Sequence, residues 1–546
     1  LNKPILGCYA YGNEVRQRYL KKLVEFCGPG FDKAFLLSAG TETTEAALKL
    51  MRMRGQAKNK KRLGIISFEN NWHGRTMGAQ MMSGNIKQKE WVDRVYNNLS
   101  LDERIGQLYT VWVATRYGEE EIEHISKLIR DYHLGGLIFS LGNIKDQAIA
   151  INKFQKLSKV PLLISMDAEW GIGMRLRDAF SFPYNMTLGA IQDDKLIYEV
   201  GKRIGYHAKR LGVQINFAPV VDINTNPRNP IIGFRSFGED KFNVASKALN
   251  YLKGMHYYGI MGAAKHFPGH GDTETDSHLT LPSINFSKER INEVELYPFK
   301  ELINNNLDGI MTAHLNIPNL DKTKISTLSK KVINNLLIED LNFKGLVITD
   351  ALDMKAIVDF SKGEHQDVAA LNAGNDLLLM PTDIEKSIKE IKKALKKGKI
   401  KPKRLEDAVK KNLMAKFKSG LDNIKPIKLE NIVEDLNQDE DFALLDRLAE
   451  ESITLVKNSN SNLPLTISND KPIGYINFGD DTFDTFLSYM KKYDDVYHVN
   501  SLNNDNLSEK AKDYKKIIIG LHKSDKSPFG EFKFTPDEIS IINNLK

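Results

Sequence analysis

The sequence predicts an α/β protein whose main body is a parallel barrel, and three observations carry that expectation. First, seven apolar, β-rich runs alternate with helical segments. They are GGLIFSL (135–141), PLLISMD (161–167), VQINFAPVVDI (213–223), IMGAAKHF (260–267), DGIMTAHL (308–315), GLVITDAL (345–352) and NDLLLMP (375–381). Near-continuous apolar strands separated by helices are the pattern of a parallel sheet. Second, nearly every run finishes in a polar residue: Asp167, Asp222, Lys265 with His266, His314 and Asp350. Polar groups converging from the C-terminal ends of different strands build the pocket of a TIM-type (β/α)8-like barrel. An open, doubly wound sheet is the competing arrangement. Third, PIGYINFG (472–479), DTFDTFLSYMKKY and YKKIIIGLH (514–522) read as a strand, a helix and a strand of a separate, smaller domain. An eighth barrel strand is not legible.

Composition sets the outer limits. With 546 residues, 41% hydrophobic and 27% charged, the chain has room for two or three globular domains. No run approaches the ~20 apolar residues of a membrane span. No signal-peptide pattern is visible, and cytoplasmic and exported locations both stay open. The net charge of +7 is unevenly held. Residues 1–85 carry 14 Lys+Arg against 6 Asp+Glu, so the remainder is close to neutral. No basic stripe interleaved with aromatics suggests a nucleic-acid groove. Neither a disulfide framework nor a Cys/His zinc spacing is present.

The chain divides into residues 1–85, a barrel over 87–420, a polar connector over 421–447 and a C-terminal α/β unit over 448–546. The barrel region opens on EWVDRVYNNLSLDERIGQLY (90–109), where Ser100 and Glu103 have capping-box spacing. The basic stretch 389–417 reads as helix with a solvated face. The chain ends at Lys546 within a helical pattern, so the last unit is expected to be a truncated sandwich. The densest chemistry lies in KHFPGHGDTETDSH (265–278), with three histidines, two aspartates and a lysine around two glycines. So many imidazoles and carboxylates at one strand end point to a site, because such groups are costly to bury unpaired. Gly269 and Gly271 are expected to let this loop swing.

This stretch resembles the signature of glycoside hydrolase family 3, in its bacterial β-N-acetylhexosaminidase branch, where KHFPGHG is followed by a D-S-H triplet, here Asp276, Ser277 and His278. The resemblance extends over about residues 87–546. It implies a retaining exo-glycosidase that removes terminal β-linked N-acetylglucosamine. Asp350, at the end of GLVITD, would be the nucleophile. His278 would be the acid/base and Asp276 its dyad partner. Asp167 and Arg175 fall on the family's D-x-E-G-G-R-V-x-R motif, here DAEWGIGMR. Trp170 replaces its first glycine and Ile172 its first arginine, which leaves the role of Glu169 open. Arg235 in GFRSFGED, with Lys265, His266 and His314, would complete the substrate pocket. A structural ion pair of Arg235 with Glu239 or Asp240 is the plainer reading of that residue. No metal or cofactor is implied, and the partner is a small carbohydrate or muropeptide-like substrate. A β-glucosidase or β-xylosidase, and a phosphorylase using phosphate in place of water, are the alternatives within the family.

Residues 1–85 look foreign to the rest. LLSAGTETTEAALKLMR (36–52) and IISFENNWHGRT (65–76) resemble class III pyridoxal-phosphate aminotransferases. In that family Gly40 and Thr41 would hold the cofactor phosphate and Trp72 would stack on its ring. The Schiff-base lysine and the pyridine-nitrogen carboxylate cannot be placed, so transaminase chemistry is not expected.

Overall fold

The computed structural model describes residues 14–27, 40–58, 86–273, 281–354, 357, 364–459, 463–465, 472–499, 511–523 and 534–544. Two compact units are distinguished, residues 1–98 and 99–546. In the first, the described residues form three helices, Glu14–Cys27, Gly40–Lys58 and Ile86–Asn97. The predicted helix of the aminotransferase-like motif thus starts at Gly40, with Thr41 in its first turn. The strands expected on either side of it, and Trp72, lie outside the described residues.

The second unit contains the barrel. Its strands are β1 (Tyr109–Val113), β2 (Gly136–Phe139), β3 (Leu163–Met166), β4 (Ile215–Asn216), β5 (Met261–Phe267), β6 (Gly309–Thr312), β7 (Leu346–Thr349) and β8 (Leu378–Leu379). All pair in parallel in the order β7-β6-β5-β4-β3-β2-β1-β8. The bridge Ile348↔Leu377 joins β7 to β8 and completes the ring. The strand that the sequence did not reveal is β1, YTVWV. It is short, and it follows directly on the capped helix Leu101–Gly106, whose capping box at Ser100 and Glu103 forms as expected.

Alternate residues of the strands turn inward, as the pleat requires. Ile138, Leu163, Ile215, Phe217, Met261, Ala263, Met311, Leu346, Ile348, Leu377 and Leu379 form one interior cluster. That packing makes the barrel interior a filled core.

Helices Ile384–Lys396 and Pro402–Lys418 place apolar stripes inward and most of their lysines outward, as the amphipathic pattern predicted. Helix Asp439–Ser452 crosses the boundary expected at 447/448. Its Asp441 is buried and accepts from Arg203 Nε at 2.7 Å, with His207 Nε2 at 3.1 Å. Beyond it lies a second parallel sheet, ordered β10-β9-β11, of β9 (Ile473–Gly479), β10 (Val496–His498) and β11 (Lys516–His522). The short β10 intervenes between the predicted helix and the second predicted strand.

Candidate active site

The site is assembled from consecutive strand ends. β3 runs directly into Asp167, which lies half-buried at the mouth. Its Oδ1 accepts from Lys265 Nζ at 2.8 Å and its Oδ2 from Arg175 at 2.8 Å. Two residues on, Glu169 is fully buried. It takes a two-pronged bond from Arg235, Nε at 2.9 Å and a terminal nitrogen at 2.7 Å, and Lys265 Nζ lies 2.7 Å away. Such bidentate pairing is the strongest geometry available to a guanidinium. Burial works against charge on Glu169, yet Arg235 and Lys265 outweigh it and hold the carboxyl far below its ordinary value. For Asp167, Lys265 and Arg175 likewise overcome the burial penalty. Asp167, Glu169, Arg175, Arg235 and Lys265 are therefore one charge network.

β4 is only two residues long, but its pairing with β5 resumes farther on. Val221 N donates to Lys265 O at 2.8 Å, and Lys265 N to Pro219 O at 3.2 Å. That register sets Asp222 beside His266. The Asp222 carboxylate takes His266 Nδ1 at 2.6 Å, the His266 backbone N–H at 3.1 Å and the His270 backbone N–H at 2.7 Å. Burial opposes its ionisation, and the neighbouring imidazole and N–H groups prevail to keep its pKa low. With Nδ1 committed to Asp222, Nε2 of His266 faces Arg235 at 3.4 Å.

Asp350 follows β7. Its backbone N–H continues the ladder to Thr312 O at 3.0 Å, and its Oδ1 accepts from Ala351 N at 2.8 Å. The residue remains half-buried. Burial tends to raise its pKa, but His266, His314, the Ala351 N–H and Lys265 together bring it below the ordinary value. His314 sits underneath, with Nε2 donating to Ala351 O at 2.9 Å and Nδ1 2.8 Å from Thr327 Oγ1. Burial lowers its pKa and favours the neutral ring.

Of the residues expected from sequence, Asp167, Arg175, Arg235, Lys265, His266, His314 and Asp350 thus meet at the C-terminal ends of β3 to β7. Asp276 and His278 fall in 274–280, outside the described residues. Two further contributors were underestimated. Asp222 stood out only as a polar strand end, and Glu169 was left open because its motif is altered. Arg235 pairs with Glu169; Asp240 instead caps helix Lys241–Tyr257. The glycines of the signature are closely approached by neighbouring chain. A Cβ on Gly271 would lie 1.8 Å from Ile223 O, and one on Gly269, where φ is 126°, 2.8 Å from Glu295 Cβ. They permit close approach, and His270 between them is buried and fixed by its N–H to Asp222. Burial depresses the His270 imidazole to about 4. Among the described residues, no three His, Cys, Asp or Glu side chains group as metal ligands would.

This arrangement offers two half-buried, ionised carboxylates, Asp167 and Asp350, beside fixed hydrogen-bond donors and acceptors. Comparison with known proteins agrees in kind. Residues 100–414 match the family profile described as the glycosyl hydrolase family 3 N terminal domain, and residues 2–129 match aminotransferase class-III. A β-hexosaminidase A of Pseudoalteromonas piscicida is 35% identical over 331 residues, which cover 54% of this chain and 55% of that protein. The chain therefore spans about half the length of that relative. A β-N-acetylglucosaminidase/β-glucosidase of Cellulomonas fimi is 29% identical, with 69% of this chain and 68% of that protein covered. A solved family 3 β-N-acetylglucosaminidase from Paenibacillus superposes with a TM-score of 0.68 at 31% identity, covering 82% of this chain and 88% of the other.

Proposed function

The chain belongs to glycosyl hydrolase family 3, and from that premise we propose that it is a retaining exo-β-N-acetylhexosaminidase. Its substrate class is the terminal β-linked N-acetylglucosamine of small saccharides such as cell-wall fragments. The observation that carries the reading is Asp350: an ionised, half-buried carboxylate at a strand end, set next to the Asp167–Lys265–Glu169 network. In the proposed first step an Asp350 oxygen attacks the anomeric carbon. The bond to the leaving oxygen breaks, and His278, oriented by Asp276, gives that oxygen its proton. In the second step His278 takes a proton from water, whose oxygen displaces Asp350 from the anomeric carbon. Asp167, Arg175 and Lys265 bind hydroxyls, while Arg235 fixes Glu169. The names of the relatives, hexosaminidase and N-acetylglucosaminidase, support the choice of sugar.

The test is release of p-nitrophenol from the β-N-acetylglucosaminide and the β-glucoside, by wild type and Asp350→Asn, with and without phosphate. Preference for the N-acetyl sugar, falling by about a thousandfold or more in the variant, is the expected result. Preference for the glucoside would move the substrate. Phosphate-dependent formation of a sugar 1-phosphate would make the enzyme a phosphorylase.

A further inference from the structure

The polar strand ends occupy one arc of the barrel mouth, from β3 to β7. Apolar side chains reach the mouth on the opposite arc. Trp112 of β1 and Met380, just past β8, pack against the interior cluster and stay only partly buried. Trp112 pairs in register with Ile138, a member of that cluster, and so shares its inward face. Trp112 is the last inward-facing residue of β1, so its ring lies at the mouth end of this core. β8 alone separates its strand from the strand of Asp350, with Met380 N bonded to Thr110 O and Leu352 N to Leu379 O, each at 2.9 Å. Outward from Trp112 comes Tyr117, with ring centroids 6.0 Å apart at 50°. Tyr117 is exposed, and Arg116 steadies it by a 2.7 Å bond to the hydroxyl with its guanidinium 4.8 Å from the ring centroid.

A pyranose is amphipathic: hydroxyls project around its rim, while its faces present C–H groups. The arc from β3 to β7 meets the rim, and a face is best covered by a flat apolar surface. We propose that Trp112 is the stacking residue of the pocket, covering the C–H face of the bound terminal sugar, and that Tyr117 continues this wall toward the leaving group. The proposal rests on reading the site as a sugar pocket.

Trp112→Phe and Trp112→Leu separate a flat ring from apolar bulk. Kinetics are measured on whichever p-nitrophenyl β-glycoside wild type cleaves best, with calorimetric binding of the free sugar and melting temperature alongside. The Leu variant is expected to raise KM, to lose about tenfold or more in kcat/KM and to bind the free sugar correspondingly more weakly. The Phe variant should retain most of both, and the two should melt within a few degrees of each other. Equal impairment of both, or a Leu variant within twofold of wild type, would overturn the stacking role while leaving the glycosidase reading intact. Tyr117→Ala, at an exposed position, is the second variant. It should raise KM for substrates whose leaving group is a second sugar and leave binding of the free monosaccharide unchanged; no change in either sinks the extended wall. A wild type that neither cleaves nor binds any of these glycosides would bring down the sugar-pocket reading and this inference together.

Discussion

Asp222 and His266 form a buried pair, 2.6 Å apart, at the ends of neighbouring strands. The same carboxylate also gathers the backbone N–H groups of residues 266 and 270, so one side chain fixes both an imidazole and the turn that follows it. An amide at this position cannot accept all of these donors, and its own N–H₂ would face one of them.

Asp222→Asn is therefore expected to cost about 2–4 kcal/mol of stability and about a hundredfold in kcat/KM. The pH dependence follows from the lowered pKa. The stabilisation is fully present above the ordinary carboxylate value of about 4 and is lost as pH falls below it through the folded value. Urea denaturation of wild type and variant should show a constant gap from pH 7 to pH 5 that closes only at lower pH. A gap that shrinks between pH 7 and pH 5 would count against the ionised pair.

Gly271 is required by space and not by backbone conformation. A methyl group there would lie 1.8 Å from Ile223 O, next to Asp222. Gly398, by contrast, has φ 69° with nothing within 4 Å of an added Cβ. Gly271→Ala should cost about 3 kcal/mol or more and depress kcat/KM with it, because Asp222 must shift. Gly398→Ala should cost only about 1–2 kcal/mol, from backbone strain, with unchanged kinetics. Thermal melts and Michaelis kinetics on the pair check this; equal losses would contradict the close-packing role.

The parallel barrel and its polar strand ends were legible because a strand buried on both faces leaves an apolar run, and a carboxylate ending that run stands out. GLVITD and PLLISMD show this directly. β1 was hidden because YTVWV mixes aromatic, polar and β-branched residues immediately after a helix. Pairing across the mouth was less legible than position. Arg235 has acidic residues at 239 and 240 close in sequence, yet its partner Glu169 is 66 positions away. Asp222 gave no sign of its hold on His266, because that depends on the β4–β5 register resuming after a two-residue strand. The glycines of the signature read as hinges by composition, and the approach of Ile223 O to residue 271 depends on tertiary packing that composition does not show.

Lys416 is buried on helix Pro402–Lys418, and Gln107 Oε1 accepts from its Nζ at 2.5 Å. Burial alone pushes its pKa down to about 7 from an ordinary value near 10.4. The unfolded chain therefore binds an extra proton between about pH 7 and pH 10, and stability rises with pH across that window. The penalty for burying the ammonium is fully present below about pH 7 and disappears above about pH 10. Lys416→Met removes the charge while keeping most of the volume, at the cost of leaving the Gln107 carbonyl without this donor. The net gain should be on the order of 2–4 kcal/mol at pH 6.5. Urea denaturation at pH 6.5 and pH 9.5 tests this: the advantage of the variant should be largest at the lower pH and shrink at the higher. A destabilised variant at pH 6.5, or an advantage that grows with pH, would show that Lys416 is held as a charged and well-solvated group.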